Sequence, residues 1–320
     1  MVWGTGESIM KIVITGGAGF IGSNLAEELA KKHEVVIIDD LSTGRVENVE
    51  NLDLELVRGS ITDPDMLKEN FRGVDYVFHQ AALPSVQRSI EDPVRANEVN
   101  ICGTLNVLVA ARDADVKKVI YASSSSVYGD TPELPKREDM KPDPKSPYAV
   151  AKLAGEYYCR VFNEIYGLKT VALRYFNVYG PRQDPSSDYA AVIPKFANRI
   201  MAGKEPIIYG DGEQTRDFTF VRDVVQANVL AMESDATGVF NVATGTRISI
   251  NDLAGMVMEI IGNRVDCVHE VPRAGDVRDS LGDISKAHAG FGYVPRYVME
   301  DGLKETIRWF TRGGGAEHGR

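Results

Sequence analysis

Short apolar runs and longer amphipathic stretches alternate along the first half of the chain. Runs with the length and composition of buried strands lie at residues 12–14, 35–38, 54–57, 76–78, 119–121 and 171–173. The pattern at 21–31, 97–111 and 146–166 is helical. This alternation predicts an α/β fold, a Rossmann-type doubly wound parallel sheet with helices on both faces.

The pattern loosens after Arg174. Proline, glycine and charged residues cluster at 180–188, 203–212 and 272–280, whereas 218–232 and 239–242 again indicate a helix and a strand. We therefore expect a first domain at 10–176, which 218–245 rejoins, and a smaller mixed α/β domain at 177–217 and 246–312. The substrate would lie in the cleft between them. The glycine-rich, polar tail at 313–320 is expected to be disordered.

Composition excludes several classes of partner. The chain has 320 residues, 43% of them hydrophobic, and a formal net charge of -10, which argues against a nucleic-acid surface. No apolar run approaches the roughly 18 residues that span a bilayer, and the N-terminus lacks the pattern of a signal peptide, so we expect a cytoplasmic protein. The three cysteines are too scattered for a disulfide framework or a zinc site, and the five histidines indicate no metal site.

A glycine-rich turn, T-G-G-A-G-F-I-G at 15–22, follows the first strand. Gly16, Gly19 and Gly22 would allow a tight turn and let the backbone approach a pyrophosphate at the start of a helix. Asp39 ends the second strand, about 20 residues further on, where a carboxylate binds the adenosine ribose and repels a 2′-phosphate. The pattern favours NAD over NADP, and Arg45 is the residue that keeps NADP open.

Tyr148 and Lys152 form a Y-x-x-x-K pair in the segment S-P-Y-A-V-A-K. A spacing of four places both side chains on one face of a helix. There the ammonium can stabilise a phenolate and lower the tyrosine pKa from its ordinary value near ~10. The pair therefore predicts a general base for a sugar or alcohol hydroxyl.

Further motifs resemble those of the extended short-chain dehydrogenase/reductase family, over residues 11 to about 310. They are the glycine turn, H-Q-A-A, A-S-S-S-S-V-Y-G and Y-A-V-A-K. Within that family the chain is similar to the UDP-sugar 4-epimerases, on the segments L-R-Y-F-N-V-Y-G-P-R, T-R-D-F-T-F-V-R-D and P-R-A-G-D-V-R. The resemblance implies NAD-dependent 4-epimerisation of UDP-hexoses, such as UDP-glucose and UDP-galactose, through a 4-keto intermediate.

The resemblance also implies roles for individual residues. Tyr148 would be the base, Lys152 would hold the nicotinamide ribose, and Ser124 would bond the sugar O4. The implied cofactor contacts, besides Tyr148 and Lys152, are Gly16, Gly19, Phe20, Ile21, Asp39, Ser60, Ile61, Gln80, Ala81, Ala82 and Asn100. The implied substrate contacts are Ser124, Ser125, Ser126, Asn177, Val192, Tyr209, Arg216, Arg273, Asp276 and Ser280. Of these, Arg216 and Arg273 would clamp the pyrophosphate, and Val192 and Tyr209 would enclose the uracil.

Several alternatives stay open. Ser125 and Ser126 stand where the related 4,6-dehydratases have an acid and where the decarboxylases have a glutamate, which disfavours both. UDP-glucuronate 4-epimerases often share A-S-S-S-S-V-Y-G. Non-catalytic NAD-sensing proteins on this scaffold usually lose the tyrosine or the lysine. Arg216 could instead pair with Asp217 or Asp223.

Two finer expectations concern substrate range and assembly. The resemblance places Ser280 beside the sugar C2 substituent, where serine leaves room for an acetamido group and a tyrosine would fill it. UDP-GlcNAc and UDP-GalNAc are then expected substrates as well, unless Ser280 is only a small loop residue.

Long apolar stripes at 97–111 and 146–166 match the helix pair of the family's dimer interface and imply a homodimer, unless both stripes only face the sheet.

Overall fold

The computed structural model describes residues 8–184, 191–272 and 277–314. The strands in chain order are β1 (Lys11–Thr15), β2 (Glu34–Asp39), β3 (Glu55–Arg58), β4 (Tyr76–His79), β5 (Lys118–Ser124), β6 (Lys169–Tyr175), β7 (Val178–Tyr179), β8 (Ile207–Tyr209), β9 (Thr215–Arg216), β10 (Thr219–Phe220), β11 (Gly238–Val242), β12 (Ile248–Ser249) and β13 (Val268–Glu270). The helices are α1 (Phe20–Leu29), α2 (Pro64–Asn70), α3 (Val86–Glu91), α4 (Pro93–Asn97), α5 (Thr104–Asp113), α6 (Pro147–Tyr166), α7 (Val192–Met201), α8 (Val221–Glu233), α9 (Ile250–Ile261), α10 (Ser285–Phe291) and α11 (Met299–Trp309).

The central sheet has seven strands in the order β3-β2-β1-β4-β5-β6-β11. Each neighbouring pair is parallel. The chain moves outward from β1 to β3 and then returns to place β4 on the other side of β1. This reversal leaves a crevice at the carboxyl ends of β1 and β4, where doubly wound sheets bind their ligands. The predicted Rossmann-type fold is confirmed.

Both faces of the sheet are buried, because side chains of successive strand residues point to opposite sides. Ile12 and Ile14 pack in one apolar layer with Leu25 of α1, whereas Val13 packs in the other layer with Leu108 of α5. The continuous apolar runs in the sequence therefore reflect a sheet covered twice. No helix in the described ranges is long and apolar enough to cross a membrane.

A separate apolar core lies between α7, α9 and α11. It includes Phe196, Leu253 and Leu303, and all three are fully buried. Three two-stranded sheets accompany these helices: β7 with β10, β9 with β12, and β8 with β13. Phe20 and Ile21, at the start of α1, also pack against this core. The glycine turn is thereby in contact with the second group of elements.

Two predicted helices have different limits in the structure. The helix expected at 218–232 begins only at Val221, because Thr219 and Phe220 pair with the short strand β7. The helix expected at 97–111 is divided among the end of α4, a π-helix at Glu98–Gly103 and α5. π-Helical turns are frequent at functional sites.

Candidate active site

Tyr148 and Lys152 lie on the first two turns of α6. The helix begins where a cap and a proline fix its start: the Ser146 hydroxyl accepts a hydrogen bond from the Ala149 amide at 3.2 Å, and Pro147 occupies the first helical position. Tyr148 is partly buried and Lys152 fully buried. The lysine Nζ lies 5.7 Å from the centre of the Tyr148 ring. The structure thus brings the predicted pair together.

The ammonium of Lys152 is directed to the backbone of β5. Its Nζ donates a hydrogen bond to the Ala122 carbonyl at 2.8 Å. Burial lowers the pKa of Lys152 to about 8. A lysine with this pKa is still mostly protonated at neutral pH, so it can supply a positive charge beside the phenol.

Ser124, the last residue of β5, is hydrogen-bonded to the phenol of Tyr148. Burial raises the pKa of Tyr148, and the bond with Ser124 opposes this only in part. The direction is the opposite of that predicted from the Y-x-x-x-K spacing, because desolvation disfavours the phenolate more than its neighbours favour it. Ser124 therefore lies beside the predicted base, and its predicted bond with the sugar O4 stays a prediction.

Ser125 and Ser126 begin a 3-10 turn directly after β5. The Ser126 amide donates to the Ser124 hydroxyl at 3.2 Å, which fixes the turn. The Ser126 hydroxyl is buried and has no hydrogen-bond partner among the described residues. Buried hydroxyls are nearly always bonded, so this oxygen has the capacity to bond a polar ligand group.

The glycine turn has the shape that a pyrophosphate requires. Gly16 has φ +70, and a Cβ there would lie 2.6 Å from the Ala81 nitrogen. A Cβ at Gly22 would lie 2.1 Å from the Gly16 oxygen. Within the described chain, no side chain caps the start of α1 at Gly19. The Gly19 amide donates to the Gly16 carbonyl at 3.2 Å, so the amides of Phe20 and Ile21 in the first turn are the ones that suit a phosphate.

Asp39 is positioned at the end of β2 as predicted for a ribose ligand. Its carboxylate accepts hydrogen bonds from the Ala18 amide at 2.9 Å and the Leu41 amide at 2.8 Å. Burial raises the pKa of Asp39, and these two bonds oppose the rise. A carboxylate has about four acceptor positions, so Asp39 keeps acceptor capacity for a ribose hydroxyl. The residues present fit NAD.

Arg45, the residue that left NADP open, is engaged elsewhere. Its guanidinium forms an ion pair with Asp184 at 2.8 Å, and its amide donates to the Ala18 carbonyl at 3.0 Å. A Cβ on the preceding Gly44 would lie 2.7 Å from Asp39 Oδ1. The arginine therefore lies beside the ribose carboxylate but is paired with a segment that follows β7.

Gln80 and Asn100 shape the wall of the crevice. The Gln80 amide donates to the Tyr175 hydroxyl at 3.1 Å and to Asn228 Oδ1 at 3.3 Å. Asn100, in the π-helix, binds both the amide and the carbonyl of Leu83, at 2.8 and 3.2 Å. These contacts hold the loop that carries Ala81 and Ala82, and the Ala81 amide donates to the Thr15 hydroxyl at 3.4 Å.

Ser60 and Ile61 follow β3 on the far side of the switch point. The Ser60 and Thr62 hydroxyls share a hydrogen bond of 2.9 Å. Ile61 is buried against Gly103, where a Cβ would lie 2.6 Å from the isoleucine Cδ1. Their predicted role as cofactor contacts stays a prediction.

Asn177 and Ser280 come together from distant parts of the chain. The Asn177 amide donates to the Ser280 hydroxyl at 3.2 Å and to the Asp217 carbonyl at 2.9 Å. Asn177 has φ +33, a conformation that few residues other than glycine adopt. The predicted sugar contacts Asn177 and Ser280 are therefore neighbours.

Of the two predicted pyrophosphate clamps, Arg216 lies within the described residues, and its role stays a prediction. Its guanidinium donates to the carbonyls of Thr215 and Arg278, at 2.9 and 3.0 Å. The Asp217 carboxylate binds the Thr244 amide and hydroxyl, and Asp223 binds the Arg296 amide. Arg273 and Asp276 lie outside the described residues.

Val192 and Tyr209 belong to the second group of elements. Val192 is the first residue of α7 and packs against its core. Tyr209 ends β8, and its carbonyl accepts from the Gln214 amide at 2.7 Å. Their predicted role around uracil stays a prediction.

Sequence reasoning missed several residues that hold α6. Ser89 of α3 accepts a hydrogen bond from the Tyr148 amide at 3.0 Å. Glu156 forms a buried, two-bond ion pair with Arg174 and accepts from the Ser123 hydroxyl at 2.5 Å. A signal existed for the ion pair, because Glu156 and Arg174 interrupt otherwise apolar patterns. The acceptor of the Tyr148 amide lies 59 positions earlier in the chain, and no local sequence pattern indicates that contact.

Comparison with known proteins agrees with this geometry. The chain is 44% identical to the UDP-N-acetylglucosamine 4-epimerase of Methanobrevibacter ruminantium, with a TM-score of 0.93, covering 96% of this chain and 99% of that one. It is 42% identical to the UDP-glucose 4-epimerase of Thermotoga maritima, with a TM-score of 0.92 and coverage of 95% and 99%. It is also 41% identical over 310 residues to the UDP-glucose 4-epimerase of Mycolicibacterium smegmatis, which is 94% of this chain and 98% of that relative.

The family model described as the NAD dependent epimerase/dehydratase family matches residues 12–243, which contain the glycine turn, Ser124, Tyr148 and Lys152. With a fold, a cofactor crevice and a Tyr-Lys-Ser site that all agree, the chain belongs to this family and NAD is its cofactor.

Proposed function

We propose that this protein is an isomerase that interconverts UDP-hexoses at C4 through a 4-keto intermediate. The observation that carries the proposal is the contact of Tyr148 with Ser124 beside Lys152, followed by two serines without a carboxylate. That arrangement supplies a single general base, Tyr148, for a single sugar hydroxyl, the one at C4. The acid and base that a dehydratase needs at C5 and C6 are missing at 125 and 126.

The proton step belongs to Tyr148. As phenolate it accepts the proton of the sugar O4, while the Ser124 hydroxyl bonds the same oxygen and keeps it aligned. Lys152 contributes its positive charge to the phenolate, offsetting part of the cost of burial. NAD+, when bound, would supply the hydride acceptor and donor at C4, and Tyr148 returns the proton to O4 when the hydride comes back to the other face of the sugar.

The nucleotide can stay bound while the sugar turns, because separate parts of the chain would bind NAD and the UDP-sugar. We assign NAD binding to 10–176 with 218–245, and UDP-sugar binding to 177–217 with 246–312. Arg216, with Arg273, would hold the pyrophosphate because the arginine fork matches phosphate oxygens. Val192 and Tyr209 would enclose the uracil. The sugar, bound more weakly, can then present its other face.

The substrate range includes N-acetylated sugars in this proposal. Ser280 is hydrogen-bonded to Asn177, and serine is small enough to leave space for an acetamido group. The similar Thermotoga maritima structure contains UDP-glucose, and the Methanobrevibacter ruminantium structure contains UDP-N-acetylmuramic acid, which carries an N-acetyl group. We therefore expect turnover of UDP-GlcNAc and UDP-GalNAc as well as UDP-glucose and UDP-galactose.

A panel of UDP-sugars tests the activity. The purified protein is incubated with each sugar, UDP-glucuronate included, while the products are separated and the NADH absorbance is followed. Formation of the 4-epimer without accumulation of NADH supports the proposal. NADH formed in step with product would indicate a dehydrogenase, and a 4-keto-6-deoxy product would indicate a dehydratase.

A substitution at Ser280 tests the substrate range. Ser280→Tyr should reduce turnover of the acetylated pair selectively, because overfilling a packed site costs about 1–3 kcal/mol. UDP-glucose and UDP-galactose serve as the internal control. An equal loss on both pairs, or on neither, would show that Ser280 does not select the substrate.

A further inference from the structure

Ser89, on α3, is a buried polar residue that the proposed chemistry does not use. Its side chain is 1% exposed. The hydroxyl donates a hydrogen bond to the Val86 carbonyl of its own helix at 2.6 Å and accepts one from the Tyr148 amide at 3.0 Å. Both contacts are within the ordinary range for such bonds. One serine therefore connects α3 to the first turn of α6.

The Tyr148 amide needs a partner from outside its helix. The first N–H groups of a helix have no intrahelical acceptor. At the start of α6, Pro147 has no N–H, and the amides of Ala149 and Val150 are bonded to the side chain and the carbonyl of Ser146. The acceptor for Tyr148 is supplied by a residue 59 positions earlier in the chain.

We propose that Ser89 is a positioning residue for the general base: it fixes the first turn of α6 so that the Tyr148 phenol meets the Ser124 hydroxyl. This rests on the proposed function of Tyr148. The bonded amide is on the same residue as the phenol, so a shift of that amide moves the ring directly. Loss of the Ser89 hydroxyl leaves the partly buried Tyr148 N–H without its protein acceptor, which favours a shift of the turn.

The consequence would appear in the chemistry rather than in substrate binding. A misplaced phenol loses part of its bond with Ser124, which is the contact that lowers the Tyr148 pKa. The other titratable groups near the phenol are Lys152 on α6 and Tyr121 on β5, and the substitution alters neither of them. The UDP contacts lie on other elements, so KM should change little.

The experiment compares two variants that each remove one buried hydroxyl bonded to the backbone of α6. Ser89→Ala removes the acceptor of the Tyr148 amide. Thr170→Val is the matched control, since Thr170 is also 1% exposed and donates to the Cys159 carbonyl at 2.7 Å, near the other end of the same helix. Both holoenzymes are tested for melting temperature, kcat, KM and the pH dependence of kcat.

We expect Ser89→Ala to lower kcat by about 10- to 100-fold, the range for a small misplacement of a reacting group. The acidic limb of its kcat profile should also move to higher pH, because the Tyr148 pKa rises. Thr170→Val should lower the melting temperature by a similar amount but leave the acidic limb of the kcat profile at the wild-type pH. If both variants keep the wild-type limb and lose activity equally, Ser89 is only structural and the proposal is wrong. Should Ser89→Ala fail to fold, Ser89→Cys, a near-isosteric weaker acceptor, is judged by the same criteria.

A second readout separates this proposal from the proposed function. The ultraviolet titration of tyrosinate, taken as the difference between each protein and its Tyr148→Phe counterpart, reports the Tyr148 pKa without any substrate. A higher pKa in Ser89→Ala supports positioning even if the wild-type enzyme acts on another sugar. An unchanged pKa overturns it even if the enzyme is a 4-epimerase.

Discussion

At the scale of single residues, burial and charge act against each other at Tyr148 and Lys152. Burial raises the pKa of the phenol and lowers that of the ammonium to about 8, whereas the proposed chemistry uses phenolate and ammonium together. The Ser124 bond and the mutual attraction of the two charges work in the opposite direction. Burial of these two charged groups lowers the free energy of unfolding, so unfolding measurements can test the site.

Lys152→Met should stabilise the protein at neutral pH while abolishing most activity. The folded pKa of Lys152, about 8, lies below its ordinary value of 10.5. The unfolded chain therefore binds more protons between these pH values, and the wild-type free energy of unfolding rises with pH across that window. Below it, the buried charge is destabilising by ~1–3 kcal/mol.

Thermal unfolding from pH 6 to 10 checks this expectation, with Lys304→Met as the control because Lys304 is exposed. The gain of Lys152→Met should be largest at the acidic end and shrink as pH rises. A destabilised variant at every pH would show that the bond to the Ala122 carbonyl outweighs the cost of burial.

We expect Asp39 to decide the choice between NAD and NADP, because Arg45 forms an ion pair with Asp184. Asp39→Ser should raise the affinity for NADP relative to NAD, because it removes the carboxylate that repels a 2′-phosphate. Adding Asp184→Asn should raise the ratio further, by less than about fivefold, since exposed ion pairs contribute about 0.2–1 kcal/mol. Fluorescence titration of both cofactors measures the ratio. No change from the second substitution would show that Arg45 cannot reach the phosphate.

At the scale of elements, α6 is held at three places along its length. Ser89 bonds its first turn, Glu156 pairs with Arg174 of β6 in its middle, and Gly167 ends it in a left-handed conformation. Burial lowers the pKa of Arg174, but the bonds and charge of Glu156 raise it more, so the guanidinium stays charged. The helix that carries the base is thereby fixed to α3 and to β6, and the bond from Lys152 to the Ala122 carbonyl adds a contact with β5.

Glu156→Gln should destabilise the protein strongly, by about 3–5 kcal/mol, because it leaves the Arg174 charge buried without its partner. Glu300→Gln breaks an exposed ion pair with Lys304 and should cost less than about 1 kcal/mol. Urea unfolding of both variants measures the difference. Equal small losses would mean that water reaches Arg174.

The sequence predicted what depends on neighbours along the chain and missed what depends on distant ones. The apolar runs, the glycine turn and the Tyr148–Lys152 pair are local patterns with a geometric meaning. The late start of α8 at Val221 follows from pairing with β7, and the capping of Tyr148 by Ser89 crosses 59 positions. The raised pKa of Tyr148 depends on burial, which spacing alone does not report.

At the scale of the whole molecule, the second group of elements is attached to the cofactor side at several points. Arg182 forms an ion pair with Glu27 of α1 at 2.8 Å, and the Asn24 amide donates to the Pro181 carbonyl at 3.0 Å. Together with the Arg45–Asp184 pair, these contacts place the segment after β7 along the glycine turn. Such contacts would help to keep a cofactor bound through a full turnover.

The homodimer predicted from the stripes at 97–111 and 146–166 stays a prediction. Of these two described stripes, only the second carries exposed large apolar side chains. Apolar side chains on α3, α4 and α6 are exposed, namely Val86, Ile90, Val94, Val150 and Tyr157. We expect these helices to pack against a second copy, so that Val94→Glu gives a monomer in light scattering after size exclusion. Val298→Glu, at an exposed valine on another part of the surface, is the control. A wild-type monomer would contradict the prediction.

The central claim is that Tyr148 is the base of a 4-epimerisation in which NAD is regenerated. The most direct measurement is the conversion of UDP-galactose to UDP-glucose by the wild-type protein and by Tyr148→Phe, with NADH followed in the same reaction. We expect turnover without NADH release, and a loss of roughly 10²–10⁴ in kcat for the variant with an unchanged fold. A variant with near-normal kcat, or NADH released in step with product, would contradict it.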